Sequence, residues 1–148
     1  MGGKKRNTKV RCMKDLERFV AAQEATYPAA LAELGAGRKT SHWMWWIFPQ
    51  LAALGRSGTA KAYGLADLAE AEAYLRHPVL GARLVEAMRA MLGNRGRDPA
   101  AVLGAVDALK LRSCATLFAR VPGADPVFSE VLGAFYGGEG DPMTERLL

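Results

Sequence analysis

Residues 77–93 read HPVLGARLVEAMRAMLG, and their periodicity decides the fold class. Leu80, Leu84, Val85, Met88, Met91 and Leu92 recur at intervals of three and four, which places them on one face of a helix with 3.6 residues per turn. His77-Pro78 closes whatever helix precedes, because a proline disfavours helical backbone at the residue before it. Gly93 ends the new helix, since glycine readily takes the backbone conformations of a C-terminal cap. The stretch is therefore one amphipathic helix with punctuation at both ends.

The same punctuation recurs outward in both directions. Asp98-Pro99, Asp125-Pro126 and Asp141-Pro142 each set an N-capping carboxylate before a proline at the first helical position, where a missing N–H costs nothing. Asp67 and Glu70 have capping-box spacing and open a helix through about Arg76. Asp15 starts an N-terminal helix with an apolar stripe of Leu16, Phe19, Val20 and Ala22, and Pro28 to Leu34 reads as a second, short helix ended by Gly35. Asp107 to Val121 is apolar on nearly all sides, as expected of a central buried helix. Val127 to Tyr136 is amphipathic and stops at Gly137-Gly138, and Met143 to Leu148 adds one turn. Only Trp43 to Phe48 has strand-like composition, and no second run exists to pair with it, so it is predicted as a short helix or irregular segment ended by Pro49. The expected architecture is all-α: a single compact bundle of about six to eight short helices with no significant sheet.

Charge gives less than its total suggests. The formal net charge is +5, but six of the twenty basic groups lie in residues 1–14, which hold no acid. The remaining chain carries fourteen basic against fifteen acidic groups, a net of −1. Residues 1–14 read as a solvated, disordered basic tail preceding one helical domain over 15–148; a nucleic-acid-binding arm is the sharper alternative, disfavoured by the near-neutral body. No apolar run approaches the ~20 residues of a membrane span, and no apolar signal stretch precedes the domain, so the expected location is the cytoplasm. Cys12 and Cys114 form neither a disulfide framework nor a zinc spacing, and no metal or cofactor motif is present.

Within the body, no acid occurs between Glu33 and Asp67, a stretch that holds Arg38, Lys39, Arg56, Lys61, His42 and all three tryptophans. A second acid-free stretch, Ala108 to Ala124, holds Lys110, Arg112 and Arg120. Packed together, the two would form a concave site suited to an anion. The density peaks at Ser41-His42-Trp43-Met44-Trp45-Trp46-Ile47-Phe48-Pro49-Gln50. Here the chain resembles a bacterial family known as domain of unknown function 1810, or Rv1873-like, some members of which carry the label calpastatin. The resemblance also rests on Asp15-Leu-Glu-Arg-Phe, Gln23, Gly37-Arg38-Lys39, Leu54-Gly55, Ser57 and Tyr63-Gly64. It continues through His77-Pro-Val-Leu-Gly81 and Asp107-Ala-Leu-Lys-Leu-Arg-Ser113. Trp46 departs from it, standing where phenylalanine is the commoner residue. The resemblance implies a small, mainly helical domain and no established reaction.

Large aromatics ordinarily fill helical cores, whereas His42 and Gln50 at the two ends of such a segment have no obvious packing role. The candidate ligand-binding set is Arg38, His42, Trp43, Trp45, Gln50, Lys110 and Ser113, with Phe48 as a further wall, for a small anionic and nucleotide-like ligand. Lys110 and Ser113 share a helical face, and Asp107, three residues before Lys110, is its ready structural partner. If chemistry occurs there, His42 is the best candidate proton carrier, because imidazole changes charge near neutral pH. His77 reads as a local cap, and Gly55-Arg56-Ser57-Gly58 as a helix connection in preference to an anion-binding turn. The alternative function is a non-catalytic nucleic-acid-binding or protein-interaction module that uses the basic tail.

Overall fold

The computed structural model describes residues 2–148, with side chains from Leu16 onward. Among the described residues there are nine α-helices and one short 3-10 turn: α1 (Gly2–Ala36), α2 (Met44–Ile47), the turn Ala52–Leu54, α3 (Gly58–Ala62), α4 (Leu68–Arg76), α5 (Leu80–Leu92), α6 (Pro99–Leu103), α7 (Ala105–Ala119), α8 (Val127–Tyr136) and α9 (Pro142–Leu147). The bundle is all-α, and its one extended pairing is an isolated parallel bridge between Leu51 and Leu65. None of these helices is long and apolar enough to cross a membrane. The basic segment 1–14, expected to be a solvated tail, has its side chains outside the described residues.

The polar residues that predict helix starts act as caps. Asp67, Asp98 and Asp141 accept the N–H groups of Glu70, Ala100 and Thr144 at 2.9 Å each, and Asp125 accepts that of Val127 at 2.8 Å. Ser57 caps α3 in the same way, accepting from Ala60 at 3.1 Å, so the glycine-rich Gly55–Gly58 segment is a helix connection. His77 caps α5 through Nδ1, which accepts from the N–H groups of Val79 and Leu80 at 3.1 and 3.3 Å.

The bounds of α1 differ from the sequence reading, which starts the helix at Asp15 where it in fact starts at Gly2. The expected break before Pro28 does not occur, and α1 runs through it to Ala36. A proline inside a helix leaves the carbonyl four residues earlier without a partner. Here that carbonyl belongs to Glu24, and Glu24 and Pro28 are both exposed, so solvent can serve it. The opposite face of α1 buries Leu16, Phe19, Gln23, Ala30 and Leu34, at helical spacing. A second difference concerns α7. Its middle is fully enclosed, with Leu111, Cys114, Ala115, Leu117 and Phe118 at 0% exposure, but its first turns reach the surface and leave Val106 and Leu109 open. Enclosure pushes the Cys114 thiol well above its ordinary pKa and keeps it a neutral, packed group.

α1 makes the polar contacts that hold the aromatic segment in place. Gln23, 1% exposed, donates from Nε2 to the Trp46 carbonyl at 2.8 Å and to the Tyr74 hydroxyl at 3.0 Å, and accepts from Arg83 at 3.3 Å. The Trp46 indole N–H donates to Thr26 Oγ1 at 2.8 Å. Removing the amide would strand a carbonyl and a hydroxyl in a dry interior, where each unmet group costs on the order of 1–3 kcal/mol. Gln23→Ala is therefore expected to lower the unfolding free energy by about 3 kcal/mol, measured by chemical denaturation.

Candidate functional site

The loop that carries the candidate residues begins where α1 stops. Gly37 takes the left-handed conformation, φ 76°, that turns the chain off the helix, and a β-carbon there would fall 2.1 Å from an Arg97 guanidinium nitrogen. Asn94 and Arg97 close the helix end by donating to the Leu34 and Gly37 carbonyls at 2.9 and 3.0 Å. The chain then passes beside α6, where the Lys39 N–H donates to the Val102 carbonyl at 2.8 Å.

Residues 40–43 are gathered onto one carboxylate. Glu33 Oε1 accepts the N–H groups of Thr40 and Ser41 at 2.7 and 3.0 Å and the Trp43 indole N–H at 3.0 Å, while Oε2 accepts the Ser41 hydroxyl at 2.5 Å. Partial burial pushes the Glu33 pKa up, but the donors from Ser41, Thr40 and Trp43 stabilise the carboxylate more strongly and bring it down from 4.5 to about 2. The tryptophans consequently have different roles. Trp43 is 1% exposed, lies edge-on to the buried Phe48 at 6.1 Å between centroids, and is bonded to Glu33. Trp46 is tied to Thr26 and Gln23. Trp45 is half-buried, and its indole N–H has no partner among the described residues.

The Lys110 ammonium sits over the Trp45 ring, 3.8 Å from its centroid, and the Lys39 ammonium lies 5.1 Å from that of Trp43. Both ammonium groups meet Asp107: Lys39 Nζ is 3.0 Å from Oδ2 and Lys110 Nζ is 3.0 Å from Oδ1. All three side chains are largely enclosed, at 10%, 17% and 19% exposure for Lys39, Asp107 and Lys110. Together with the exposed His42 and with Trp43, Met44, Trp45 and Trp46 they line a hollow of about 80 Å³.

Of the residues proposed from sequence, His42, Trp43, Trp45 and Lys110 line this hollow. Arg38, Gln50, Ser113 and the further wall Phe48 do not. Arg38 is exposed on the outer side of the loop. Gln50 belongs to the extended pairing beyond α2, where its carbonyl accepts from Leu65 at 2.9 Å. Ser113 turns its hydroxyl back to the Leu109 carbonyl at 3.2 Å, within its own helix. Sequence reasoning left Lys39, Asp107 and Glu33 out of the set. Consecutive residues of an extended loop point to opposite sides, so the choice between Arg38 and Lys39 depended on where the loop docks. Asp107 announced itself only as the partner of Lys110. Among the described residues no group of histidine, cysteine or carboxylate side chains could hold a metal ion.

The sequence matches the family model described as protein of unknown function (DUF1810) over residues 13–148. The chain belongs to the DUF1810 family. The crystal structure of the conserved hypothetical protein Rv1873 from Mycobacterium tuberculosis superposes with a TM-score of 0.88 at 47% identity, covering 90% of this chain and 96% of that one. No curated protein matches. The match includes α7 and the loop after α1, so the lysine-bracketed carboxylate stands on elements that lie within the DUF1810 region.

The depressed Glu33 pKa gives the loop anchor a defined acid sensitivity. A carboxylate more acidic in the folded than in the unfolded chain contributes stability above the unfolded value, and the contribution is lost as pH falls towards the folded one. For Glu33 that interval runs from 4.5 down to about 2. Denaturation midpoints measured across it should fall with pH, and Glu33→Gln should flatten the part of the fall that Glu33 supplies; an unchanged slope would exclude the assignment.

Proposed function

We propose that this protein binds a small anion, through a phosphate or carboxylate group, at the ammonium pair of Lys39 and Lys110. The observation that supports this reading is a local excess of positive charge. Two ammonium groups, six donors in all, converge on one carboxylate that takes one contact from each, and their remaining hydrogens have no acceptor among the described residues. Two of the larger hollows have the opposite balance. A groove of about 480 Å³ between α1 and α4 holds Glu17, Glu72, Arg76 and His77, and one of about 620 Å³ beside α5 holds Glu86, Arg89 and Asp125. In both, the arginine is matched to a carboxylate, Arg76 to Glu72 at 2.7 Å and Arg89 to Asp125 at 3.1 Å.

Size narrows the ligand. Pockets that engulf a drug-sized molecule run to roughly 300–1,000 Å³, and the hollow here, about 80 Å³, takes only an anionic head. In a nucleotide-like ligand the phosphate would enter and the base would remain outside, against the open part of Trp45, with His42 at the rim as a further donor or acceptor. Apolar walls of Trp43, Met44, Trp45 and Trp46 strengthen the attraction by keeping competing water away.

The test is a titration with inorganic phosphate and with adenosine monophosphate at constant ionic strength, followed by tryptophan fluorescence and by backbone amide shifts. Saturable changes centred on residues 39–46 and 107–110 are expected. Lys110→Ala should weaken binding about tenfold or more, by loss of one charge-assisted contact, and His42→Ala by less. Absence of saturable binding by both compounds would refute the reading.

A further inference from the structure

Asp107 occupies the space in which an anion would be held. Each of its oxygens faces a different ammonium group at 3.0 Å, and the ammonium groups are in turn backed by indole rings. The lysines reach this point from unconnected elements. Lys39 is carried on a loop pinned to Val102 and Glu33, and Lys110 stands one turn along α7 from Asp107. A carboxylate serving only as an ordinary helix-surface partner would need Lys110 alone, at i and i+3; the second lysine makes the arrangement bidentate. Arrival of Lys39 from the other side of the hollow forms a two-point oxyanion cradle, with a side chain of the same protein in it.

We infer that the cradle formed by Lys39 and Lys110 is a carboxylate-type oxyanion subsite and that Asp107 is its intramolecular occupant, which an incoming anion must displace. The inference rests on the anion-binding reading above and adds the group that holds the site closed. Asp107 lies in the first turn of α7, and rotation about its side-chain bonds withdraws the carboxylate while the helix and the pinned loop stay in place. A free carboxylate substitutes for it atom for atom, one oxygen to each ammonium. The occupant sets a threshold, because a ligand gains only the difference between its own contacts and those of Asp107.

The decisive comparison uses acetate as the probe, against chloride at equal ionic strength, on the native protein, Asp107→Ala and Asp107→Asn. Melting temperature and the amide shifts of residues 39–46 and 107–110 are read. With the occupant removed, acetate should bind about tenfold or more tightly than in the native protein, as expected for deleting a like charge at contact distance, and should raise the melting temperature of Asp107→Ala beyond any effect of chloride. Asp107→Asn keeps the side-chain volume and is read in the same way if the alanine variant does not fold. Acetate affinity in both variants equal to or below that of the native protein overturns the inference, whether or not the native protein binds phosphate. Tight binding by the variants with no phosphate binding by the native protein supports the inference and refutes the anion-binding reading for the native state.

Discussion

The structure around the candidate site depends on one constraint: an indole ring can be buried only if its N–H is met. The Ser41–Gln50 segment carries three tryptophans, Trp45 and Trp46 on a helix of four residues and Trp43 just before it, and so short a helix cannot satisfy its own ends. α1 supplies what is missing, from Gln23, Thr26 and Glu33 along one side of the helix. These residues accept two indole N–H groups and donate to one carbonyl, and so convert a sticky apolar peptide into a fixed wall. Trp45 is the tryptophan left without such a partner among the described residues, and its ring is the one that Lys110 covers, at 3.8 Å from the centroid. Placement of Lys110 over that ring is thus indirectly a property of α1.

The continuity of α1 matters for the same reason. Gln23 and Glu33 lie on either side of Pro28. If the helix broke there, as the sequence pattern suggests, their side chains would not share a face, and the two ends of the aromatic segment would be held by bodies free to move relative to one another. The proline is accommodated because its face looks outward. Its local preference is thereby overridden by the burial of Phe19, Gln23, Ala30 and Leu34 on the other side.

Helix identities and ends were legible from sequence wherever a polar cap or an apolar period marked them. Asp67, Asp98 and Asp141 stand at N-caps as read, Asp125 lies one residue further out, before the N-cap Pro126, and Gly93 and Gly137 follow helix ends. The all-α class followed from these residues, and the family from the Ser41–Gln50 segment and the shorter stretches that accompany it. The site was legible in part. The chemistry of Trp43, Trp45, His42 and Lys110 could be recognised as unusual because such types seldom crowd together, and they do share a hollow. What could not be read was orientation. Ser113 shares a helical face with Lys110 by spacing, yet a hydroxyl in a dry interior finds its own i−4 carbonyl first. Gln50 sits next in sequence to the aromatic cluster, but the chain has already turned into extended backbone there. Lys39 and Arg38 differ only in which way one peptide unit faces, and the contact with Val102 decides it.

α7 carries both Asp107 and Lys110 and continues through the centre of the molecule. Ser113 and Thr116 return their hydroxyls to carbonyls of the same helix, at 3.2 and 2.7 Å, and Cys114 remains a neutral thiol. The enclosed part of this rod thus makes few polar links to the elements that surround it, among them the Asp141 N–H donating to Thr116 Oγ1 at 2.8 Å and the Tyr136 hydroxyl donating to the Ala108 carbonyl. Its register against them is governed mainly by shape, as a bolt is held in a sleeve, and a small axial slip would strain few hydrogen bonds beyond those that Thr116 and Ala108 make to Asp141 and Tyr136. Such a slip would nevertheless move the carboxylate at its outer end relative to a lysine fixed on another part of the frame, so the fit of greasy side chains deep in the bundle sets the alignment of charges at its surface.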